Sequence, residues 1–294
     1  MAFRKKTIMK MTTIGVIGGS GLYDLDGLTD IQEIPVETPF GPPSDPIVEG
    51  HLGDTRLLFV ARHGKGHRFL PSEVNYRANI FALKKLGATS VISISAVGSM
   101  REDIKPGDLV IVDQFIDRTK GRPSTFFGAG VVGHVFFADP VCRSLAERLA
   151  EAAAKIDVKV HQGGTLMVME GPAFSTRAES NMHRQLGVDL IGMTAMPEAK
   201  LAREAELCYT TLALATDYDC WHEEEDDVTV EAVIKILKEN ADNARNVIRN
   251  LAALNTPPKP CACQTTLDTA IITDRALISE ELKTKMKPIF GRVL

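Results

Sequence analysis

Several segments of the sequence pair small donors or cations with positions where an apolar β-branched run ends, an arrangement suited to a compact dianion. Gly18-Gly19-Ser20-Gly21 follows the first such run. Its backbone can turn sharply and aim N–H groups at an anion, with the Ser20 hydroxyl as a further donor. Arg62-His63-Gly64 ends a second run; a guanidinium suits bidentate phosphate recognition, and the histidine can donate another hydrogen bond. Ser95 closes a third run, and Thr194 follows a fourth over 190–192. Singly, each has a plain structural alternative: a ligand-free tight turn, a surface ion pair with a histidine packed beneath it, or hydroxyls that satisfy the backbone. Together they are what a phosphate site at the carboxyl edge of an open sheet requires. A dinucleotide loop would carry a third glycine where Asp24 stands, and a Walker loop would need Gly-Lys-Ser/Thr, so neither pattern is met.

A different chemistry is available in Ala215-Thr216-Asp217-Tyr218-Asp219-Cys220-Trp221, just past the last apolar run. Where Asp217 and Asp219 are both partly buried, one resists ionising beside its charged neighbour. A protonated aspartic acid can then donate to a base nitrogen while its neighbour accepts from an amino group. The alternative is a solvated acidic turn, because His222-Glu223-Glu224-Glu225-Asp226-Asp227 follows and reads as solvent-facing. Trp and Cys seldom sit in a fully exposed turn, which favours the buried reading of the first part. Phe174, in Glu170-Gly171-Pro172-Ala173-Phe174-Ser175, can stack on a flat heterocycle or serve as an ordinary core residue, and Met193 has the same two readings.

These residues need elements to hold them. Strand patterns fall over 13–17, 55–61, 90–95, 109–112, 164–169 and 208–215, with the short apolar run 190–192 between the last two. Helical spacing covers 72–86, 140–154, 175–186, 197–206 and 229–254, with Gly87 and Gly187 as stops. Strands alternating with helices predict an α/β domain over 12–255. An extension, 1–11, precedes it. Thr256-Pro257-Pro258-Lys259-Pro260 is a stiff spacer to a tail, 256–294, that drapes over the domain or reaches a neighbouring subunit. Within the tail, 279–287 is a helix candidate with Ser279 as its N-cap.

Composition narrows the function classes. The chain has 294 residues, 44% hydrophobic and 24% charged, at a formal net charge of -4. That balance gives no electrostatic reason to expect nucleic acid, no apolar run is long enough to span a bilayer, and no leader pattern follows the basic start, so the expected setting is cytoplasmic. The 5 cysteines read as reduced thiols. Cys261-Ala262-Cys263 lacks the second ligand pair of a structural zinc site, so no metal site is expected; a redox clip on the tail and a Cys142–Cys208 pairing stay open.

Taken in order, the motifs resemble the purine nucleoside phosphorylase superfamily, specifically the trimeric 5′-methylthioadenosine phosphorylases. The carriers are Ile17-Gly18-Gly19-Ser20-Gly21, Thr38-Pro39-Phe40-Gly41, Ala61-Arg62-His63-Gly64, Pro71-Ser72-Glu73-Val74-Asn75-Tyr76-Arg77-Ala78-Asn79 and Asp113-Gln114-Phe115-Ile116-Asp117-Arg118-Thr119. Glu170-Gly171-Pro172, Gly192-Met193-Thr194 with Pro197-Glu198, and the Asp217–Trp221 segment complete the set. The resemblance implies a single domain with a central mixed sheet flanked by helices, the nucleoside phosphorylase fold. It implies that Ser20, Arg62, His63, Ser95, Thr194 and, through its backbone, Ala96 hold phosphate; serine stands at 20 and 95 where the family often has threonine. Met193 would line the ribose, Phe174 the base, and Ser175, Asp217 and Asp219 the purine edge, with His134 sent across a subunit interface towards the 5′ end of the sugar.

The implied enzyme is a homo-oligomer, a trimer in the family, acting on a small purine nucleoside and phosphate with no metal or organic cofactor. Asp217 would protonate purine N7 as the ribose approaches an oxocarbenium ion. Paired carboxylates suit the 6-amino group of adenine; relatives using 6-oxopurines carry asparagine here. The rivals are a phosphorylase preferring adenosine, inosine, guanosine or methylthioinosine, and a nucleoside-binding protein without turnover. The second would be marked by a broken phosphate set, and here the set is complete.

Overall fold

The structure, a computed structural model, describes residues 12–19, 21–222, 230–254 and 259–294. Along the chain run β1 (Thr12–Gly18), β2 (Thr29–Ile34), β3 (Ile47–Leu52), β4 (Thr55–Ala61), α1 (Tyr76–Lys85), β5 (Ser90–Ser99), β6 (Leu109–Val112) and β7 (Gln114–Asp117). Then come α2 (Arg143–Ala153), β8 (Val160–Gln162), β9 (Thr165–Val168), α3 (Arg177–Gln185), β10 (Leu190–Gly192), α4 (Ala195–Glu204), β11 (Cys208–Asp217), α5 (Val230–Ala252), α6 (Glu280–Lys285) and α7 (Lys287–Phe290). The helix expected from residue 72 starts at Tyr76, because the Asn75 side chain accepts from Ala78 N and caps it there. Thr176 and Glu179 form a reciprocal capping box that starts α3. Ser279 caps α6 as expected, accepting from Leu282 N.

One mixed sheet of 11 strands runs through the molecule. β1 lies parallel to both β4 and β5, and β5 lies parallel to β11. β10 pairs antiparallel with the far end of β5, and β6 antiparallel with β11. The register sets Gly18 opposite Ala61, Ile17 opposite Ser93 and Ser95 opposite Ala213. The carboxyl ends of β1 and β4 therefore come level with the middle of β5, and β5 continues past them to Ser99 rather than ending at 95. That extra length is what lets β10 and the end of β11 join the same edge.

β1, β5 and β11 are buried along nearly their whole length, as strands covered on both faces must be. On one face α1, α4 and the tail pack Ile80, Leu83, Leu201 and Phe290 against the sheet. On the other, α2 and α5 contribute Leu145, Leu149, Val247 and Ile248. The tail is part of this core: Leu267, Ile289 and Phe290 are buried, and Phe290 stacks on Phe127 with ring centroids 5.4 Å apart. Gly133 and Ile271 form an antiparallel bridge, so the tail also pairs with the loop that carries His134. Truncating Phe290→Ala is expected to cost about 3–5 kcal/mol, read as a lower denaturation midpoint and earlier proteolysis within the tail.

Candidate active site

Arg62 leaves the end of β4 and turns under the sheet edge, where it is only 3% exposed. A buried guanidinium must be paired, and Glu198 of α4, 1% exposed, pairs it. Arg62 Nε donates to Glu198 Oε2 at 3.0 Å and Nη2 to Oε1 at 3.3 Å. Nη1 donates to Ile94 O at 2.9 Å, and Nη2 also reaches Ser93 Oγ at 2.7 Å and Ile17 O at 3.4 Å. Tyr209 OH donates to the same Glu198 Oε1 at 2.9 Å. Burial works against the Arg62 charge, but the Glu198 carboxylate more than offsets it and the pKa is raised. The fork expected to clasp phosphate is thus engaged by Glu198, and the ion pair is buried rather than on the surface. Among the described residues, one Nη1–H is left without a protein acceptor.

His63 is half-buried and stacked on His67, with ring centroids 4.2 Å apart. Its Nδ1 lies 2.8 Å from Phe69 O. A carbonyl only accepts, so Nδ1 carries the proton. Burial, with the Arg62 charge adding to it, lowers the His63 pKa to about 4. The ring is neutral at pH 7 and its Nε2 is a bare acceptor.

The remaining members of the anion set lie on β5 and just past β10. Ser95 Oγ and Thr194 Oγ1 are 3.3 Å apart and both residues are buried. Thr194 stands at the N-cap of α4 without a side-chain capping bond, which leaves its hydroxyl free to point at Ser95. Ala96, beside Ser95, is half-buried. Ser20 lies outside the described residues, as do the acidic run 223–227 and residues 1–11.

Gly98, three residues along β5 from Ser95, makes room for the carboxylates. A Cβ there would stand 2.8 Å from Asp217 Oδ1 and 3.4 Å from Asp219 Cβ. Asp217 Oδ1 accepts from Asp219 N at 2.8 Å and Oδ2 from Thr216 Oγ1 at 2.7 Å. Burial raises the Asp217 pKa, and the nearby Asp219 charge raises it further, against those hydrogen bonds. Asp219 sits at φ 52, is 7% exposed, and has no partner for its buried Oδ2 among the described residues. The pair is not a solvated turn. Trp221 behind it is buried, donating Nε1–H to Ser99 O at 2.7 Å under the Arg184 guanidinium, 3.6 Å above the ring.

The loop before α3 meets this turn: Cys220 Sγ donates to Ser175 O at 3.3 Å and Arg177 Nη1 to Cys220 O at 2.6 Å. Ser175 is thereby brought to the aspartates. Met193 underlies Gly171, where a Cβ would come within 2.6 Å of its sulfur. Phe174 is exposed at 44% and is not a core residue. His134 is exposed, its backbone N–H donating to Ala270 O at 2.9 Å. Among the described residues no hydrogen bond or ring contact joins the His134 side chain to the rest of the set.

Sequence reasoning missed two supports. Arg122, 8% exposed, ties the site's loops together by donating to Met193 O, Met196 O and Glu170 O at 2.7, 2.9 and 2.7 Å. It also donates to Glu170 Oε2 at 3.0 Å. Its only signal was a lone cation in a Gly-Arg-Pro turn. His183 of α3 is buried near Asp219, its pKa lowered by burial against the pull of that carboxylate. One expectation is corrected outright. The Cys261–Cys263 pair does have companions, because Cys142 and Cys208 bring their thiols to it, all four within 4.8 Å of one another.

The chain belongs to the Phosphorylase superfamily, whose family model matches residues 13–253. It is 59% identical over 279 residues to the S-methyl-5′-thioadenosine phosphorylase of Geobacter sulfurreducens, covering 95% of this chain and 98% of that protein. The Koribacter versatilis protein of the same name is 53% identical, with 95% and 96% covered. Among solved structures, a methylthioadenosine phosphorylase from an antarctic soil metagenomic library superposes with a TM-score of 0.89 at 49% identity, covering 95% of this chain and 99% of that one. The Schistosoma mansoni methylthioadenosine phosphorylase in complex with adenine gives 0.78 at 40% identity, covering 82% and 91%.

Glu198→Ala would leave the Arg62 cation buried and unpaired. It is expected to lower unfolding free energy by about 3–5 kcal/mol, and combining it with Arg62→Met should recover much of that stability. Both are read by urea denaturation.

Proposed function

We propose that the chain catalyses the phosphate-dependent cleavage of 5′-methylthioadenosine to adenine and 5-methylthioribose 1-phosphate. The observation that carries this is the placement of Asp217 and Asp219 beside Gly98, a few residues along β5 from Ser95. A base held by the carboxylates and a phosphate held at Ser95 and Thr194 would then flank one sugar. Phosphate is held by the Ser95 and Thr194 hydroxyls, the Ala96 backbone, His63 Nε2, the remaining Nη1–H of Arg62 and Ser20. Met193 lies under the ribose and Phe174 covers the base.

In the reaction the bond from C1′ to N9 breaks and its electron pair passes to the purine. Asp217 gives or shares its proton at N7, and a phosphate oxygen forms the new bond to C1′. The dianion stabilises the cationic sugar in a site where burial magnifies charge. Asp219 accepts from the 6-amino group, and Ser175 assists at the base edge.

The working unit is a homo-oligomer, a trimer, in the cytoplasm. Val132 and Phe136 flank His134 in the chain, and Ile272 N donates to Val132 O; all three are exposed, and this apolar surface supports the crossing of His134 to a neighbour's sugar site. Among the described residues no helix is long and apolar enough to cross a membrane.

Incubation with methylthioadenosine, adenosine, inosine and methylthioinosine, each with and without phosphate, tests the reading. Adenine release that needs phosphate and is fastest from methylthioadenosine is expected; hypoxanthine release alone would overturn the base assignment. Asp217→Asn is expected to lower kcat on adenine nucleosides by about 10²–10⁴ and to favour 6-oxopurines. Because an acid must be protonated to act, wild-type kcat should fall as pH rises through the raised Asp217 pKa. A pH profile of the variant should lack that limb.

A further inference from the structure

We propose that Cys142, Cys208, Cys261 and Cys263 form a structural zinc site that clamps the tail onto the domain. The ligands come from separate parts of the chain: the N-cap of α2, the first residue of β11, and the Cys-x-Cys at the start of the tail's 3₁₀ segment Ala262–Thr269. Their sulfurs all lie within 4.8 Å of one another, and the Cys208 and Cys261 sulfurs are 3.3 Å apart. A tetrahedral zinc with bonds of about 2.3 Å holds its sulfurs about 3.8 Å apart. A disulfide needs about 2.05 Å. The four sulfurs surround a common point at separations that a single ion can bridge with small side-chain adjustments.

The donor set argues for the same ion. Four thiols from the protein fill a tetrahedron and leave no open position, the mark of a structural rather than a catalytic zinc. Soft sulfur donors select zinc over magnesium or calcium. On binding, the four thiols release their protons to solvent and no electrons move, so the finished centre carries a charge of −2. A cleft of about 630 Å³ opens onto Cys142, Cys261 and Cys263 and gives a route of entry; Arg143 and Lys259 on its rim are paired with Glu147, which leaves Arg203 as countercharge. Cys220 lies apart, against Ser175.

The clamp reaches the His134 loop through a short chain of contacts. Past Cys263 the tail buries Leu267, whose N–H donates to Glu206 Oε1 at 2.9 Å, and Ala270 O then accepts from His134 N. Fixing the tail at its root fixes the segment that pairs with the His134 loop.

The test uses the full chain, produced with zinc in the medium and purified without chelators or reductant. Elemental analysis is expected to find one zinc per chain, retained through gel filtration. Cobalt substitution should give the intense visible bands and near-ultraviolet charge transfer of a tetrahedral thiolate centre. Cys261→Ser combined with Cys263→Ser should lower zinc content about tenfold or more. A metal-free wild-type protein that takes up no zinc overturns the proposal. So does a disulfide among these four cysteines on peptide mapping, or zinc retained at full content in the double variant. The wild-type measurement decides even where the double variant fails to fold.

Discussion

The Arg62–Glu198 pair is the constraint on which the site depends. Taking two opposite charges out of water costs several kcal/mol per ion unless their hydrogen bonds are met, and here they are met by groups from different elements. Arg62 belongs to the end of β4, Ile17 to β1, Ser93 and Ile94 to β5, and Glu198 to α4, with Tyr209 of β11 completing the shell. Any shift of one strand end against another would leave a buried donor unmet. The pair therefore sets the ends of β1 and β4 against the middle of β5, where Ser95 lies, and against the start of α4 at Thr194. Most of the guanidinium's donors are committed within this shell.

β5 acts as the common rail. Its Ser95 belongs to the anion set, and its Gly98 faces the carboxylates across a gap that any side chain would close. The aspartate turn is held from behind, by Trp221 on Ser99 O and by the αL backbone at Asp219. A non-glycine residue held at positive φ is strained, and the packing of the Trp221 cluster keeps it there. The loops that carry Glu170 and Met193 are tied together by Arg122. Hydroxyls, a neutral imidazole and a protonatable carboxyl are thus spaced by sheet geometry rather than by loop chance.

Much of this was legible because strand ends are local features. The runs that became β1, β4 and β11 are dense in buried residues, and the polar or small residues after each run mark the edge. β2 was not legible: its residues are nearly all exposed, so no apolar alternation distinguishes it from a loop. Glu198 could be placed in a motif, but nothing local says that it faces Arg62 across 136 positions of chain. Arg122 escaped for the same reason. The cysteines are the sharpest case, since spacing along the chain judged Cys261 and Cys263 alone, and only the return of the tail past α2 and β11 brings Cys142 and Cys208 to them.

That return has a consequence for how the protein comes into being. The segment made after α5 supplies Leu267, Ile289 and Phe290 to the core and a pairing partner to the loop at Gly133. Until it has left the ribosome, the face of the sheet covered by α1 and α4 lacks its final layer. The domain can collapse early, but it closes late, and a nascent chain halted at the proline spacer would expose that face to whatever apolar surface is nearby.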